Sequence, residues 1–360
     1  MKQKLRDYEF ILYLFPLLAL GILNLASASK GMEVSYHIKQ LFWIGLGLVF
    51  FLLVSSRDYR TFEAYAYPLY GLGILLLVLV LLLGKEVAGA KRWFVFGGMS
   101  FQPSEFMKLA FVLALAKHFS DHPPLDGLRL KDLKVPLLLV ALPILLIALE
   151  PDLGTALSFL AILGLVVLYW GMEPRALLTL VLLVAVGSVG GWFLLKDYQR
   201  ERILAFLDPY SDPLGSGYHL IQSKIAVGSG GLVGKGAGGG TQSRLGFLPE
   251  CHTDFAFALF GEERGFLGCL LVLGLYLGLI LWGIDTARKA KDEFGAFLAI
   301  GITAKFFLHV AINVGMVLGL LPVVGMPLPF LSYGGSFTLI SLICLGLLFN
   351  IRRRRFMLTP

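Results

Sequence analysis

Ten apolar runs, most of them close to twenty residues long, decide what this chain can fold into. They lie at approximately 8–28, 38–55, 64–83, 103–118, 133–149, 153–171, 175–195, 254–283, 294–320 and 335–351. A helix of about twenty residues rises about 30 Å, the thickness of a bilayer's hydrocarbon core. Inside that core a backbone N–H or C=O has no water to turn to, so each run must satisfy its own hydrogen bonds as a helix. Composition agrees. Hydrophobic residues make up 57% and charged ones 15%, and the mean hydropathy is +0.79, whereas soluble domains are about a quarter charged. The expected fold is an all-α integral membrane protein, one polytopic domain over 1–360 with ten transmembrane helices.

The net charge of +7 raises the question of a nucleic-acid partner. Position answers against it. Basic residues gather in short loops at Arg57 and Arg60, at Arg129, Lys131 and Lys134, at Arg288, Lys289 and Lys291, and in the run Arg352–Arg355. The alternate connections are poor in them: 29–37 has only Lys30, and 321–334 has no Lys or Arg. This is the pattern of the positive-inside rule and places both termini in the cytoplasm. Lys2, Lys4 and Arg6, the following apolar run and Ala26-Ser27-Ala28 imitate a signal peptide. The run Phe10–Ala26 exceeds a usual h-region and many spans follow it, so an uncleaved first helix is expected. Cys251, Cys269 and Cys344 offer no disulfide framework, since two of them lie in apolar runs.

Two connections on the outer side stand out. The segment 84–102, with Lys85, Lys91, Arg92 and Trp93, reads as a re-entrant or amphipathic piece at the interface. The segment 196–253, between the seventh and eighth helices, is nearly sixty residues long. Loops of that length are functional or disordered, and its interspersed aromatic and aliphatic residues argue for a folded, partly helical one. It carries Arg202, Lys224 and a Gly-rich stretch around Lys235. A Walker loop fails there, because position 229 is Ser and Lys235 is followed by Gly236. The run 234–239 matches GxGxxG literally, but no strand precedes it and it lies outside the cell. What remains is a row of unobstructed backbone N–H donors, a plausible cradle for an anion.

Ionisable groups at or within a membrane are expensive and mark functional sites by default. Asp254, preceded by Thr253, stands where the Gly-rich stretch turns apolar again. It reads either as an N-cap of the eighth helix or as a general base whose pKa is raised by apolar surroundings. Glu262 and Glu263 follow on the same helix and are expected to avoid lipid. Glu105 and Lys108 at the start of the fourth helix form an i, i+3 pair suited to a polar cavity, where the ammonium could hold a phosphate. Asp152 sits in the turn Glu150-Pro151-Asp152-Leu153-Gly154-Thr155, as a capping acid or a site acid. Lys305, His309 and Asn313 share one face of the ninth helix and line an interior, with interhelical hydrogen bonding as the plainer role for Asn313. Metal spacing motifs are absent, though a divalent Mg or Mn ion on a pyrophosphate needs none. A lipid transporter with charges spread through the membrane, at Lys305, His309 and Glu263, remains an alternative to an enzyme at the outer edge.

These residues resemble a known family. Gln102-Pro103-Ser104-Glu105, Pro151-Asp152-Leu153-Gly154-Thr155, Phe206-Leu207-Asp208-Pro209, Gln222-Ser223, Ala226–Gly231, Phe247–Asp254, Pro327-Leu328-Pro329 and Ser332-Tyr333-Gly334-Gly335-Ser336 follow in order the motifs of the SEDS proteins (shape, elongation, division and sporulation). Gly240-Thr241-Gln242, Pro322-Val323-Val324-Gly325 and the short N-terminus resemble the elongation type more than the division type. Ala256 and Arg264 depart from the bulkier Ile and the Leu of the family pattern. The resemblance implies ten transmembrane helices, lipid II as substrate and a class B penicillin-binding protein as partner within the elongation machinery. It also implies an active site outside the bacterial cytoplasmic membrane. The family's essential acid falls on Asp254, its cavity pair on Glu105 and Lys108, its turn acid on Asp152 and its loop arginine on Arg202. The substrate-binding set expected from these readings together is Glu105, Lys108, Asp152, Arg202, Lys224, Lys235, Thr253, Glu263 and Lys305. The resemblance implies a peptidoglycan glycosyltransferase that polymerises lipid II by inverting glycosyl transfer with release of undecaprenyl pyrophosphate; its rivals are a lipid II flippase and a non-catalytic activator of the penicillin-binding protein.

Overall fold

The computed structural model describes residues 7–30, 34–87, 90–96, 99–123, 127–213, 215 and 217–355; the N-terminal basic residues Lys2, Lys4 and Arg6 lie outside them. The long helices are α1 (Phe10–Ala28), α2 (Tyr36–Ser56), α4 (Ala66–Leu83), α5 (Pro103–Asp121), α6 (Lys134–Leu149), α7 (Leu153–Trp170) and α8 (Pro174–Leu194). They continue with α12 (Ala256–Arg288), α13 (Glu293–Val317) and α14 (Gly335–Arg354). A short helix, α3 (Tyr59–Ala64), joins α2 to α4. The segment between α8 and α12 holds α9 (Asp197–Leu207), α10 (Tyr218–Ser229) and the single turn α11 (Thr241–Arg244).

Among the described residues, eight helices are long and apolar enough to cross a membrane: α1, α2, α4, α6 with the turn before it, α7, α12, α13 and α14. The two other runs read from the sequence are also helical. α5 has 19 residues and carries Glu105, Lys108, Lys117 and Asp121; α8 has 21 residues. Sequence marks several helix starts. Pro103 and Pro174 occupy first turns, where a missing N–H is harmless. Asp292 caps α13 by accepting from Gly295 N at 2.8 Å.

The segment after α4 differs from expectation. It is a three-stranded antiparallel sheet, β1 (Lys85–Val87), β2 (Ala90–Phe96) and β3 (Met99–Phe101), in that order. Phe94 pairs with Phe101 and Phe96 with Met99. Aromatic and β-branched residues between charged ones suit a pleated ribbon better than a helix face, so the purely helical expectation is corrected at this point.

Packing is densest around α5, α13 and α14, where nearly every described residue of the central turns is buried. Small residues let backbones approach, as in other membrane bundles. A Cβ on Gly47 would lie 2.4 Å from Leu342, and one on Gly346 would lie 2.9 Å from the Phe51 carbonyl oxygen. Exposed leucines at Leu52, Leu75, Leu83, Leu138, Leu149, Leu168 and Leu183 form the apolar exterior that a bilayer would cover. At the end of the bundle holding both termini, Arg352 is 1% exposed and bonds to Asp7 at 3.3 Å and to Asp285. Arg352 therefore ties the segment just before α1 to α12 and α14.

Candidate active site around Asp254

At the opposite end of the bundle, α12 begins only after Asp254. Its N-cap position is Phe255 and no side chain caps it, so the capping reading of Asp254 does not hold. The chain reaches the helix through a turn in which Thr253 N and Phe255 N both donate to the Glu250 carbonyl at 3.1 Å. Asn24 of α1 then pins the first helical turn by donating to the Ala256 carbonyl at 3.0 Å. The Asp254 backbone carbonyl accepts from Asn313 Nδ2 at 2.9 Å, and that amide also donates to the Met326 carbonyl at 2.7 Å. Among the described residues no donor bonds the Asp254 carboxylate. Burial, then the negative charges of Glu250 and Asp152, push its pKa up to about 7; the positive charges of Arg202 and Arg92 oppose this. A carboxylate half-ionised near neutrality and free of competing donors is suited to taking a proton.

Asp152 stands in the same electrostatic neighbourhood. It caps α7 through Thr155 N at 3.2 Å and faces Arg92 at 3.7 Å. Arg92, on β2, donates to the carbonyls of Glu150 at 2.8 Å and Pro151 at 2.5 Å. The sheet thus holds the Glu150–Asp152 turn in place. Arg92 was not among the site residues read from the sequence; its signal was a charge in an alternating aromatic stretch, legible only once that stretch is a strand. Glu150 is 2% exposed, and burial followed by the Asp152 charge raises its pKa to about 8. Arg202 on α9 is exposed, and its charge reaches Asp254. Thr253 donates to Glu250 Oε2 at 2.9 Å and not to Asp254. Lys224 on α10 is exposed, with its stem lying over Gly319.

A second group lies deep in the bundle. Lys108 Nζ donates to Glu105 Oε1 at 2.7 Å and to His309 Nε2 at 3.0 Å. His309 Nδ1 faces the Pro327 carbonyl at 3.1 Å, which assigns the proton to Nδ1 and leaves Nε2 as the acceptor. Lys305 Nζ is 3.8 Å from Glu105 Oε2. Glu105, Lys108, Lys305 and His309 are each at most 2% exposed. The fold therefore unites the Glu105–Lys108 pair with the α13 residues in one buried cluster.

The third group corrects the anion-cradle reading. Glu262 Oε1 accepts from Lys235 Nζ at 2.7 Å, Thr241 N at 2.7 Å, Thr241 Oγ1 at 3.0 Å and Gln242 N at 3.0 Å. Glu263 Oε1 accepts from Gly238 N at 2.8 Å and from Ser27 Oγ. The anions in the Gly-rich stretch are the protein's own. Lys235 also donates to Ser229 and Thr241, so its ammonium is engaged within the fold.

The backbone completes this joint. Gly265 has φ 66° and ψ −167°, which interrupts α12. The Glu262 and Glu263 carbonyls accept from Lys235 N and Gly236 N, both at 3.0 Å. Phe266 N and Leu267 N donate to the carbonyls of Gly231 at 2.8 Å and Leu232 at 3.1 Å. A Cβ on Gly265 would meet Gly234 N at 2.3 Å, so glycine is required for both conformation and space.

Among the described residues, no three His, Cys, Asp or Glu side chains converge as a metal site, and the three cysteines are free and buried.

Comparison with known proteins agrees with the motif order. Residues 6–356 match the model of the FtsW, RodA and SpoVE family, described as cell cycle proteins. The peptidoglycan glycosyltransferase MrdB of Escherichia coli K12 is 43% identical over 357 residues, 98% of this chain and 95% of that protein. A chain from a solved structure described as the structural coordination of polymerization and crosslinking by a peptidoglycan synthase complex superposes with a TM-score of 0.83 at 38% identity. That match covers 97% of this chain and 98% of the other. A mutant of the rod shape determining protein RodA from Thermus thermophilus gives 0.73 at 32% identity, covering 97% and 98%. The chain belongs to the FtsW, RodA and SpoVE family.

Proposed function

We propose that this chain is a peptidoglycan glycosyltransferase of the elongation type, polymerising lipid II at the outer face of the bacterial cytoplasmic membrane. α5 and α8 complete a set of ten transmembrane helices, both termini are cytoplasmic, and the end bearing Asp254 is extracytoplasmic. Asp254 takes the proton from the acceptor's GlcNAc 4-hydroxyl. The oxygen attacks the donor's anomeric carbon with inversion, the bond from that carbon to the pyrophosphate oxygen breaks, and its electron pair leaves with undecaprenyl pyrophosphate.

The observation carrying this reading is the carboxylate of Asp254: no donor engages it among the described residues, and its pKa lies near 7. A base works best with a pKa close to the working pH. The leaving group departs as an anion, so positive charge serves it better than a proton. Arg202 and Lys224, both exposed on the loop helices, supply that charge, and the buried Lys108 and Lys305 set the potential below. A Mg or Mn ion would add positive charge at the leaving pyrophosphate; among the described residues no three His, Cys, Asp or Glu side chains converge to hold one. The apolar grooves between helices hold the polyprenyl tails. A class B penicillin-binding protein and other elongation proteins complete the assembly.

The test is polymerisation of labelled lipid II by the purified protein with its partner's transpeptidase blocked. Asp254→Asn should retain lipid II binding and lose chain growth. Unchanged polymerisation would refute the assignment.

A further inference from the structure

Asp254 is held by something other than its own helix. Its carbonyl, not its carboxylate, is gripped by Asn313, a residue one helix away that is 0% exposed. Both hydrogens of that amide are committed. One goes to Asp254 at 2.9 Å, the other to Met326 at 2.7 Å. These two carbonyls belong to the two flanks of the carboxylate. On one side is residue 254 itself. On the other is Gly325, with φ +69°, so close that a Cβ there would lie 3.3 Å from Asp254 Oδ2. Fixing that carbonyl fixes the peptide plane that follows residue 254, which restricts the backbone freedom with which the carboxylate can move beyond its side-chain torsions. The amide oxygen Oδ1 is buried and has no hydrogen-bond partner among the described residues. A group kept for general polarity would be expected to satisfy both ends. Here only the donor end is used.

We propose that Asn313 is a positioning residue for the glycosyl transfer, clamping the Asp254 turn to the Gly325–Met326 strap so that the carboxylate is held at a fixed distance from the acceptor hydroxyl. His309, one turn earlier on α13, faces the next carbonyl of the strap, that of Pro327, at 3.1 Å. The strap is therefore held at two successive carbonyls from one helix face. A displacement of about 1 Å at a reacting group lowers rates by about 100-fold, so a lengthened or absent clamp should act on turnover far more than on substrate affinity.

This inference rests on Asp254 being the base, and the experiment separates the two claims. Asn313→Leu removes both donors at similar volume. Asn313→Gln keeps both donors but moves them by one methylene. Lipid II polymerisation is measured for both, beside Asp254→Asn, as kcat, KM and a pH profile, with thermal melting of each purified protein. Positioning predicts that kcat falls about 10- to 100-fold in both Asn313 variants while KM stays within about twofold. It also predicts that the acid-side midpoint of the Asn313→Leu profile drops below the unaltered value as Asp254 gains access to water. A lower melting temperature with unchanged kcat and midpoint would make Asn313 structural only and overturn the proposal. Full kcat in Asn313→Gln overturns it even if Asn313→Leu fails to fold. If Asp254→Asn itself still polymerises lipid II, the reading of the site fails first.

Discussion

Two acids eight residues apart in the sequence, Asp254 and Glu262, are treated in opposite ways by the same fold. Glu262 is fully buried and collects four hydrogen bonds on one oxygen, including a charged one from Lys235. Asp254 is half-buried, its carboxylate has no donor among the described residues, and burial drives its pKa up to about 7. Donors stabilise the ionised form and make an acid inert toward protons; their absence, with burial, makes it basic near neutrality. One acid therefore holds the loop to the membrane helices, and the other is left available for chemistry. Sequence position alone does not separate these roles, since both acids stand near the start of an apolar run.

The sharpest way to break this contrast is to neutralise each acid in turn. Asp254→Asn should lower lipid II polymerisation by about 1,000-fold without loss of fold. Since its pKa is raised in the folded state, the stability associated with the protonated form is present below the ordinary carboxylate range and is lost as pH rises through about 7. Asp254→Asn should accordingly melt higher than the unaltered protein at pH 8 and no higher at pH 4, as read by thermal scanning in detergent. Glu262→Gln should show the reverse pattern. Stability falls by about 2 kcal/mol, or about 30-fold in the folded ratio, because Lys235 loses its counter-charge and the donors lose an ionised acceptor. Turnover per folded molecule should change little. Equal losses of turnover in both variants would remove the distinction.

A smaller effect sharpens it. Polymerisation by the unaltered protein should rise about tenfold from pH 6 to pH 8, as a group titrating near 7 gives up its proton. A flat profile over that range would mean that a different group, or product release, limits the rate. Smallest of all, Arg202→Gln should move the midpoint upward by a few tenths of a pH unit, because an exposed positive charge that favours the ionised carboxylate is removed. The shift should shrink as salt is added.

Much of the architecture was legible from apolar run length, because hydrocarbon leaves the backbone so few options. The ten helical runs reappear with shifted ends, and Lys305 and His309, read from their shared face as lining an interior, are buried; that they meet Glu105 and Lys108 there is a contact between helices distant in the chain. The outer elements were less legible. Residues 84–102 read as a re-entrant or amphipathic interfacial piece, and only strand pairing turns Arg92 toward the Glu150–Asp152 turn. The glycines around Lys235 were read as waiting for an outside anion, because nothing local reveals that Glu262 and Glu263 return from the next helix to fill the space. Asn313 was visible as a polar residue on an apolar helix, but its two acceptors lie 59 and 13 residues away in the chain. Short-range patterns cannot specify contacts of that kind.

The exchange of backbone hydrogen bonds at Gly265 has a consequence for how this protein can vary in length. Connecting loops usually absorb insertions easily. Between Gly231 and Gly236 the chain instead supplies the missing rungs of a transmembrane helix, four bonds in strict register. One added residue there would shift every rung and leave polar backbone groups of α12 unpaired in an apolar setting. Natural length changes in relatives should therefore concentrate between α9 and α10 and spare the six positions facing the break. The most loop-like stretch of the sequence is, in this sense, counted to the residue.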